Sequence, residues 1–135
     1  MSRVLLVFMV AAMFSCKTAS TQKTGEKVMN VTEFAAQIES FESSGTAYTL
    51  LDIRTPGELA ESGIIAGAQH FDFYEEDFQS KIEALDRDIP VMVYCRSGGR
   101  SGKARNLFTD LGFKEVYDLG PGMMGWQAAG KPVEK

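Results

Sequence analysis

Residues 90–102 read PVMVYCRSGGRSG, and this stretch decides the fold class. Its first residues are apolar, β-branched or aromatic, which is typical of a strand buried on both faces of a parallel sheet. Cys95 ends this run, and the glycines that follow predict a tight loop leading into a helix from Ser101 to Leu111. We therefore expect a thiol at the carboxyl end of a central strand, the edge where open α/β sheets bind ligands.

The rest of the chain alternates between strand and helix patterns. Asn30 or Thr32 is suited to cap the first helix, and Thr55 followed by Pro56 is typical of the start of the second. Strands are predicted over 48–53, 90–94 and 115–119, with a further short strand within 64–73. Helices are predicted over 30–41, from 55, and over 75–85, 101–111 and 123–129. This alternation predicts an α/β fold, a doubly wound parallel sheet of about five strands with helices on both faces.

Length and charge narrow the class of protein. A chain of 135 residues with 44% hydrophobic residues is one domain that can build a core without disulfides or a structural metal. Its net charge of −4 argues against nucleic acid as a partner, because phosphate binding requires a basic surface. The two cysteines and the single histidine form no cluster of metal-ligand spacing, so no metal site is expected.

The N-terminus has the pattern of a targeting segment. Arg3 precedes an apolar run over 4–14, which is too short to span a bilayer and has the length of a signal-peptide core. Ser15-Cys16 resembles a bacterial lipoprotein cleavage site, although Met13 and Phe14 depart from the strictest form of that motif. The alternatives are a buried N-terminal element, or simple secretion with an unmodified Cys16.

These features predict three segments. Residues 1–15 are expected to be a signal peptide, 16–29 a lipidated Cys16 with a flexible tether, and 30–135 the folded domain. Acyl chains on Cys16 would anchor the protein in a membrane. The expected location is therefore the bacterial cell envelope, on the periplasmic side.

The loop after Cys95 has the composition of a thiolate site. Backbone amides at a glycine-rich turn and a helix N-terminus bind anions, so they favour thiolate over thiol and lower the pKa of the cysteine. Arg96 and Arg100 add permanent positive charge. A buried structural cysteine beside a turn would explain Cys95 but not the two arginines and two glycines around it.

This loop resembles the active-site loop of the rhodanese family, in which a cysteine and an arginine are separated by four residues. Three further segments resemble family signatures, namely LDIRTPGE at 51–58, GIIAGA at 63–68 and LGPGMMGW at 119–126. Two positions differ from the family pattern, because Ile64 stands where histidine is frequent and Pro121 where a second glycine is common. The resemblance covers residues 30–133.

The resemblance implies a rhodanese-like fold and a sulfurtransferase of the thiosulfate sulfurtransferase type. Cys95 would attack the outer sulfur of thiosulfate or of a persulfide donor, and a thiol or cyanide would then accept the sulfur from the Cys95 persulfide. No cofactor is implied. Cys95 is the implied nucleophile, and Arg100 the second catalytic residue, which orients the loop and balances its charge.

The other site residues follow from the same resemblance. Arg96 is expected to face the entering anion, together with a substrate-binding set made of Ser97, Gly98, Gly99 and Ser101. Asp52 and Arg54 are expected to support the site as a structural ion pair. Glu58, four residues after Arg54, is expected to pair with that arginine.

Three rival functions stay open at this point. A phosphatase or arsenate reductase of related fold has five residues between cysteine and arginine, where this chain has four, Arg96 to Gly99. A non-enzymatic binding module of the family usually lacks the cysteine that is present here. An envelope persulfide carrier would use the same Cys95 chemistry with a protein thiol as acceptor, and the sequence does not separate it from thiosulfate turnover.

Overall fold

A computed structural model describes residues 25–135 of the chain. Strands and helices alternate along these residues. The elements are β1 (Gly25–Met29), α1 (Val31–Ser44), β2 (Thr49–Asp52), α2 (Pro56–Ser62), β3 (Gln69–His70), α3 (Phe78–Glu83), β4 (Val91–Tyr94), α4 (Gly99–Asp110), β5 (Glu115–Leu119) and α5 (Gly122–Ala128).

The five strands form one sheet in the order β1-β5-β4-β2-β3, and all neighbouring strands are parallel. β4 lies at the centre, where all four of its residues are buried. Val93 is in register with Leu51 of β2 on one side and with Asp118 of β5 on the other. The predicted parallel α/β sheet of about five strands is confirmed, and it places Cys95 at the carboxyl edge of its central strand.

Helices cover both faces of the sheet. One core contains Phe34 and Phe41 of α1 and Trp126 of α5, which pack with Met92 and Tyr94 of β4. The opposite core is built on residues of α3 and α4, and its members are Leu51, Ile53, Phe78, Ile82, Val91, Val93, Cys95, Ala104, Phe108, Phe113 and Val116. Alternate residues of β4 therefore face alternate cores, as the two-residue period of a strand requires.

Two helices begin with complete capping boxes. The Asn30 side chain accepts a hydrogen bond from the Glu33 amide, and the Glu33 carboxylate accepts one from the Asn30 amide. Thr55 and Glu58 form the same reciprocal pair at α2, with Pro56 as the first helical residue. Both predicted helix starts are confirmed, Asn30 being the cap of the first one.

The first strand corrects the predicted domain boundary. A flexible tether was expected to extend to residue 29, but Gly25–Met29 pair with β5 along its whole length. The sequence GEKVM has no apolar alternation, and only Met29 of these five residues is buried. Backbone hydrogen bonds to β5, which sequence patterns do not reveal, hold the strand in place. The predicted signal peptide, Cys16 and the rest of the tether lie outside the described residues.

The short strand expected within residues 64–73 lies at Gln69–His70, and Ile64 forms an antiparallel bridge with Glu134. The helix expected over 75–85 is reduced to α3. Within residues 25–135, no helix has the length and apolar character needed to cross a membrane.

Candidate active site

Cys95 follows β4 directly and is 1% exposed. The loop after it is fastened to the start of α5, because the Met123 amide donates to the Cys95 carbonyl at 2.9 Å and the Met124 amide to the Arg96 carbonyl at 3.0 Å. The last segment of the chain thus holds the thiol-bearing loop in place. This contact explains why residues 119–126 carry a recognisable signature far from the cysteine in sequence.

Donors from the loop surround the Cys95 sulfur. Sγ accepts hydrogen bonds from the Gly98 amide at 3.1 Å and the Ser101 amide at 3.4 Å, and the Ser101 hydroxyl lies 3.5 Å away. Burial by itself raises the pKa of the thiol, but the hydrogen bonds from the Ser101 side chain and from the amides of Ser101, Ser97 and Gly98 outweigh it. The net result is a lowered pKa, as expected for a thiol held in an anion-binding loop.

Gly98 has a backbone conformation that only glycine adopts readily. Its φ is 98°, in the left-handed region, and it precedes the first residue of α4. A Cβ atom at this position would lie 2.2 Å from the Gly120 carbonyl oxygen. The loop can therefore turn its amide toward the sulfur only because residue 98 has no side chain.

Arg100 is bound to Glu58 rather than free in the pocket. Its Nη1 and Nη2 donate to Oε2 and Oε1 of Glu58 at 2.8 and 2.7 Å, a bidentate pair. Arg100 and other donors lower the pKa of Glu58 to about 2. The predicted pairing of Glu58 with Arg54 is wrong, because the Glu58 carboxylate faces the active loop. Arg54 Nη1 donates only to the Glu58 backbone carbonyl, at 3.5 Å.

Asp52 and Arg54 form the expected ion pair. Both are completely buried, and Arg54 Nη2 lies 2.6 Å from Asp52 Oδ2. Two further guanidinium hydrogen bonds go to the Ser62 hydroxyl and the Gly63 carbonyl, each at 2.6 Å. His70 Nε2 lies 2.6 Å from the Arg54 carbonyl. The pair therefore fixes the chain between β2 and α2. Glu58, in the first turn of α2, reaches from there to the active loop.

The other predicted substrate-binding residues differ in their exposure to solvent. Arg96, Ser97 and Gly99 are exposed, whereas Ser101 is completely buried beneath the sulfur. Arg96 lines a cavity of about 110 Å³ together with Glu58, Met123 and Met124. Cys95 is not among the lining residues, so this cavity lies beside the loop.

Two residues near the loop were missed by sequence reasoning. The Tyr74 ring lies 5.6 Å from the Arg100 guanidinium carbon and is 68% exposed, so it covers the outer side of that arginine. Asp118 is buried on β5, in register with Val93 of β4. No local pattern marks either residue. Among residues 25–135, no three His, Cys, Asp or Glu side chains lie close enough to hold a metal ion.

Comparison with known proteins agrees with this geometry. The family model of the rhodanese-like domain matches residues 30–129. The chain belongs to the rhodanese-like family. Solved structures of this family share the fold of the present rhodanese-like domain. A rhodanese-related protein from Thermoplasma volcanium is 30% identical, with a TM-score of 0.65 over 80% of this chain and 97% of that one.

Several curated relatives of the rhodanese-like domain bear the name sulfurtransferase. "Putative sulfurtransferase YtwF" from Bacillus subtilis is 39% identical over 73% of this chain and 90% of its own length. The thiosulfate sulfurtransferase GlpE from Pseudomonas aeruginosa is 38% identical over 58% of this chain and 69% of its own. The present domain is therefore a rhodanese-type enzyme of the sulfurtransferase family.

Proposed function

We propose that this protein moves a sulfane sulfur from thiosulfate or a persulfide donor to a thiol or cyanide through a persulfide on Cys95. The observation that carries the proposal is the position of the Cys95 sulfur, which accepts hydrogen bonds from the Gly98 amide of the loop and the Ser101 amide in the first turn of α4, with the buried Ser101 hydroxyl 3.5 Å away. An anion held in this way is both a better nucleophile at neutral pH and a better leaving group.

The reaction has two displacement steps. The Cys95 thiolate attacks the outer sulfur of thiosulfate, the sulfur–sulfur bond of the donor breaks, and sulfite leaves with the electron pair. The acceptor then attacks the outer sulfur of the Cys95 persulfide, and the Cys95 thiolate is released. No electrons are gained or lost overall, so no cofactor is needed, and the order of steps predicts ping-pong kinetics.

The loop donors stabilise negative charge at each stage. The charge is on Sγ before the first step and on the outer sulfur of the persulfide after it. Amides that belong to the folded loop need no reorganisation when the charge moves. Arg96, exposed at the mouth of the loop, is the side chain that we assign to attract the anionic donor.

Arg100 acts on the loop rather than on the donor. Its two hydrogen bonds to Glu58 join it to the first turn of α2. In this position it fixes the first turn of α4, whose Ser101 amide faces the sulfur, and its positive charge lies on the side of the thiolate. The Asp52–Arg54 ion pair holds the chain that leads from β2 into α2.

Mass spectrometry tests the proposal directly. The native protein is incubated with thiosulfate, and its intact mass is expected to increase by one sulfur atom. Peptide mapping should place that atom on Cys95, and cyanide or a thiol should remove it. An unchanged mass after thiosulfate and after a persulfide donor would show that Cys95 does not carry sulfur.

We also propose that Cys16 is lipidated and anchors the domain at the periplasmic side of the bacterial cell envelope. The proposal rests on the sequence alone, namely the apolar run over 4–14 and the Ser15-Cys16 pair that follows it. Residues 17–24 then lie between the anchor and β1. The mass of the mature N-terminus tests this point independently of the enzyme chemistry.

A further inference from the structure

A cleft between α2 and α5 adjoins the Cys95 loop. Met123 and Met124 of α5 line it, and their amides donate to the carbonyls of Cys95 and Arg96 at 2.9 and 3.0 Å. Arg96 itself lines the cleft, so the wall is continuous with the loop that bears the thiol. The volume is about 110 Å³, which is room for about four water-sized groups. The cleft therefore suits a short ligand that lies beside the reactive sulfur.

Two of the charged residues that line the cleft are already engaged. The five N–H groups of the Arg54 guanidinium all have acceptors, namely the Asp52 carboxylate, the Ser62 hydroxyl and the carbonyls of Glu58 and Gly63. The Glu58 carboxylate holds Arg100 with both oxygens and caps α2. Neither residue offers an unused charge to a ligand.

The other two charged lining residues, Arg96 and Glu61, are exposed. Within residues 25–135 neither side chain forms an ion pair or a hydrogen bond, with each other or with a third group. One small cleft thus presents an unused positive charge from the loop and an unused negative charge from α2. A ligand with a single charge is attracted by one of them and repelled by the other, whereas a zwitterion is attracted by both.

The size of the cleft limits which zwitterion it can hold. Two opposite charges that face one cavity of this volume require a ligand whose own charges are only a few atoms apart. An α-amino acid is the shortest common molecule of this kind. The rest of the wall includes Met123 and the half-exposed Met124, and these flexible apolar side chains adapt to a small thiol-bearing side chain.

We propose that this cleft binds a small amino-acid thiol as the sulfur acceptor, with its carboxylate at Arg96 and its ammonium group at Glu61. The thiol releases its proton to solvent, and the resulting thiolate attacks the outer sulfur of the Cys95 persulfide. The sulfur–sulfur bond breaks, Cys95 leaves as a thiolate with the electron pair, and the product is an amino-acid persulfide. In a ping-pong reaction the donor and the acceptor arrive in turn, so Arg96 serves both anions. The inference rests on the Cys95 persulfide of the proposed function.

Acceptors that differ in one charged group test the proposal. Cysteine carries both charges, cysteamine only the ammonium group and N-acetylcysteine only the carboxylate. These thiols differ in intrinsic reactivity, so kcat/KM of each variant is divided by that of the native protein for the same acceptor. Glu61→Gln should lower this ratio about fivefold for cysteine and cysteamine, the effect of one exposed ion pair. The ratio should rise for N-acetylcysteine, whose carboxylate no longer meets a like charge.

Two further variants separate binding from a structural effect. Arg96→Gln should give the reverse pattern, with a lowered ratio for N-acetylcysteine and a raised ratio for cysteamine. In ping-pong kinetics the acceptor kcat/KM reports only the second step, so weaker attraction of the donor does not enter it. Glu39→Gln removes a charge from an exposed position of α1, far from the lining of the cleft, and all three ratios should stay near one. Ratios that change in the same direction for all three acceptors in Glu61→Gln would overturn the proposal.

A binding measurement makes the result independent of turnover. S-methylcysteine has both charges and no thiol, and it should protect Cys95 from alkylation by iodoacetamide. Peptide mapping separates Cys95 from Cys16, so the full chain can be used. N-acetyl-S-methylcysteine should protect less, and Glu61→Gln should abolish the difference. Equal protection by the two compounds in the native protein would also overturn the proposal. Protection needs no sulfur transfer, so a native protein that gains no sulfur from thiosulfate would contradict the proposed function in a separate result.

Discussion

Glu58 binds Arg100 through both carboxylate oxygens across 42 positions of sequence, with N–O distances of 2.8 and 2.7 Å. The same Oε2 accepts hydrogen bonds from the Thr55 amide at 2.9 Å and the Thr55 hydroxyl at 3.0 Å. Glu58 therefore completes the cap of α2 and holds the first turn of α4 at once. The cap and the active loop share one charged group, so a change at Glu58 should affect both.

The first prediction concerns acid stability. The pKa of Glu58 is lowered from 4.5 to about 2. A carboxyl with a lowered pKa stabilises the fold above its ordinary pKa, and this contribution is lost as the pH falls from 4.5 toward 2. Glu58→Gln should lose at most about 3 kcal/mol at neutral pH, the free energy of such a shift before solvent screening is subtracted. Urea unfolding at several pH values measures the loss.

A nearby carboxylate serves as the control. Glu61 lies about one turn later on α2 and is exposed. Glu61→Gln should therefore keep the native dependence of stability on pH. In Glu58→Gln the stability should fall less steeply over the acid range than in the native protein. Parallel curves for the native protein and Glu58→Gln would mean that the ion pair adds nothing to stability.

The second prediction uses two adjacent glycines as a matched pair. At Gly98 an alanine would place Cβ 2.2 Å from the Gly120 carbonyl oxygen with φ at 98°, whereas at Gly99 nothing lies within 4 Å. Gly98→Ala should move the loop amide from the sulfur and lower the rate of persulfide formation about 100-fold, since a 1 Å displacement of a catalytic donor has an effect of this order. Gly99→Ala, at the start of a helix, should retain nearly native rates. Equal rates in both variants would contradict the assigned role of the Gly98 amide.

Part of this arrangement could be predicted from sequence. The apolar run before Cys95 and the glycines after it define the central strand and loop, because both signals are local. The partner of Glu58 was mispredicted. A four-residue separation suggested Arg54, whereas the true partner, Arg100, follows β4 in the sequence. β1 was missed because GEKVM lacks apolar alternation and gains its stability from pairing with β5. The position of Asp118 depends on strand order, which brings β5 beside β4, and no local pattern reveals that order.

The third prediction concerns the nucleophile itself. Cys95→Ser should abolish sulfur transfer from thiosulfate to cyanide, because a serine hydroxyl is hardly ionised at neutral pH and is a far weaker nucleophile. The near-isosteric change should leave the unfolding free energy within about 1 kcal/mol of the native value. Steady-state turnover and urea unfolding measure the two effects. Turnover retained by a clean Cys95→Ser preparation would place the sulfur on another group.

The fourth prediction concerns the N-terminus. The mature chain should begin at Cys16 and sediment with membranes, whereas Cys16→Ser should stay in the soluble fraction with full sulfurtransferase activity per molecule. Two or more acyl chains give firm binding, at about 0.8 kcal/mol for each buried methylene. Mass spectrometry of the native N-terminus decides the matter. An unprocessed Met1, or a cleaved chain with unmodified Cys16, would contradict lipidation and leave the enzyme chemistry untouched.

The last prediction concerns the size of the loop. The four residues from Arg96 to Gly99 bring the amides of Gly98 and Ser101 to 3.1 and 3.4 Å from the sulfur. We expect a loop of this size to hold one additional sulfur atom. A bound phosphate or arsenate has three equatorial oxygens that each need donors, so it requires a wider ring. The native protein should therefore turn over thiosulfate with cyanide and show negligible activity on aryl phosphates.

An insertion tests whether loop size selects the chemistry. One glycine added between Gly98 and Gly99 lengthens the loop without adding a side chain, and it separates the two amides that donate to the sulfur, those of Gly98 and Ser101. Persulfide formation should then fall by up to about 100-fold, because the donors no longer meet the developing charge at hydrogen-bond distance. Rates of the native and inserted proteins on thiosulfate and on an aryl phosphate are compared side by side, with circular dichroism to verify folding. Strong phosphatase activity in the native protein, or sulfur transfer that is indifferent to the insertion, would show that the spacing between Cys95 and Arg100 does not select sulfur over phosphate.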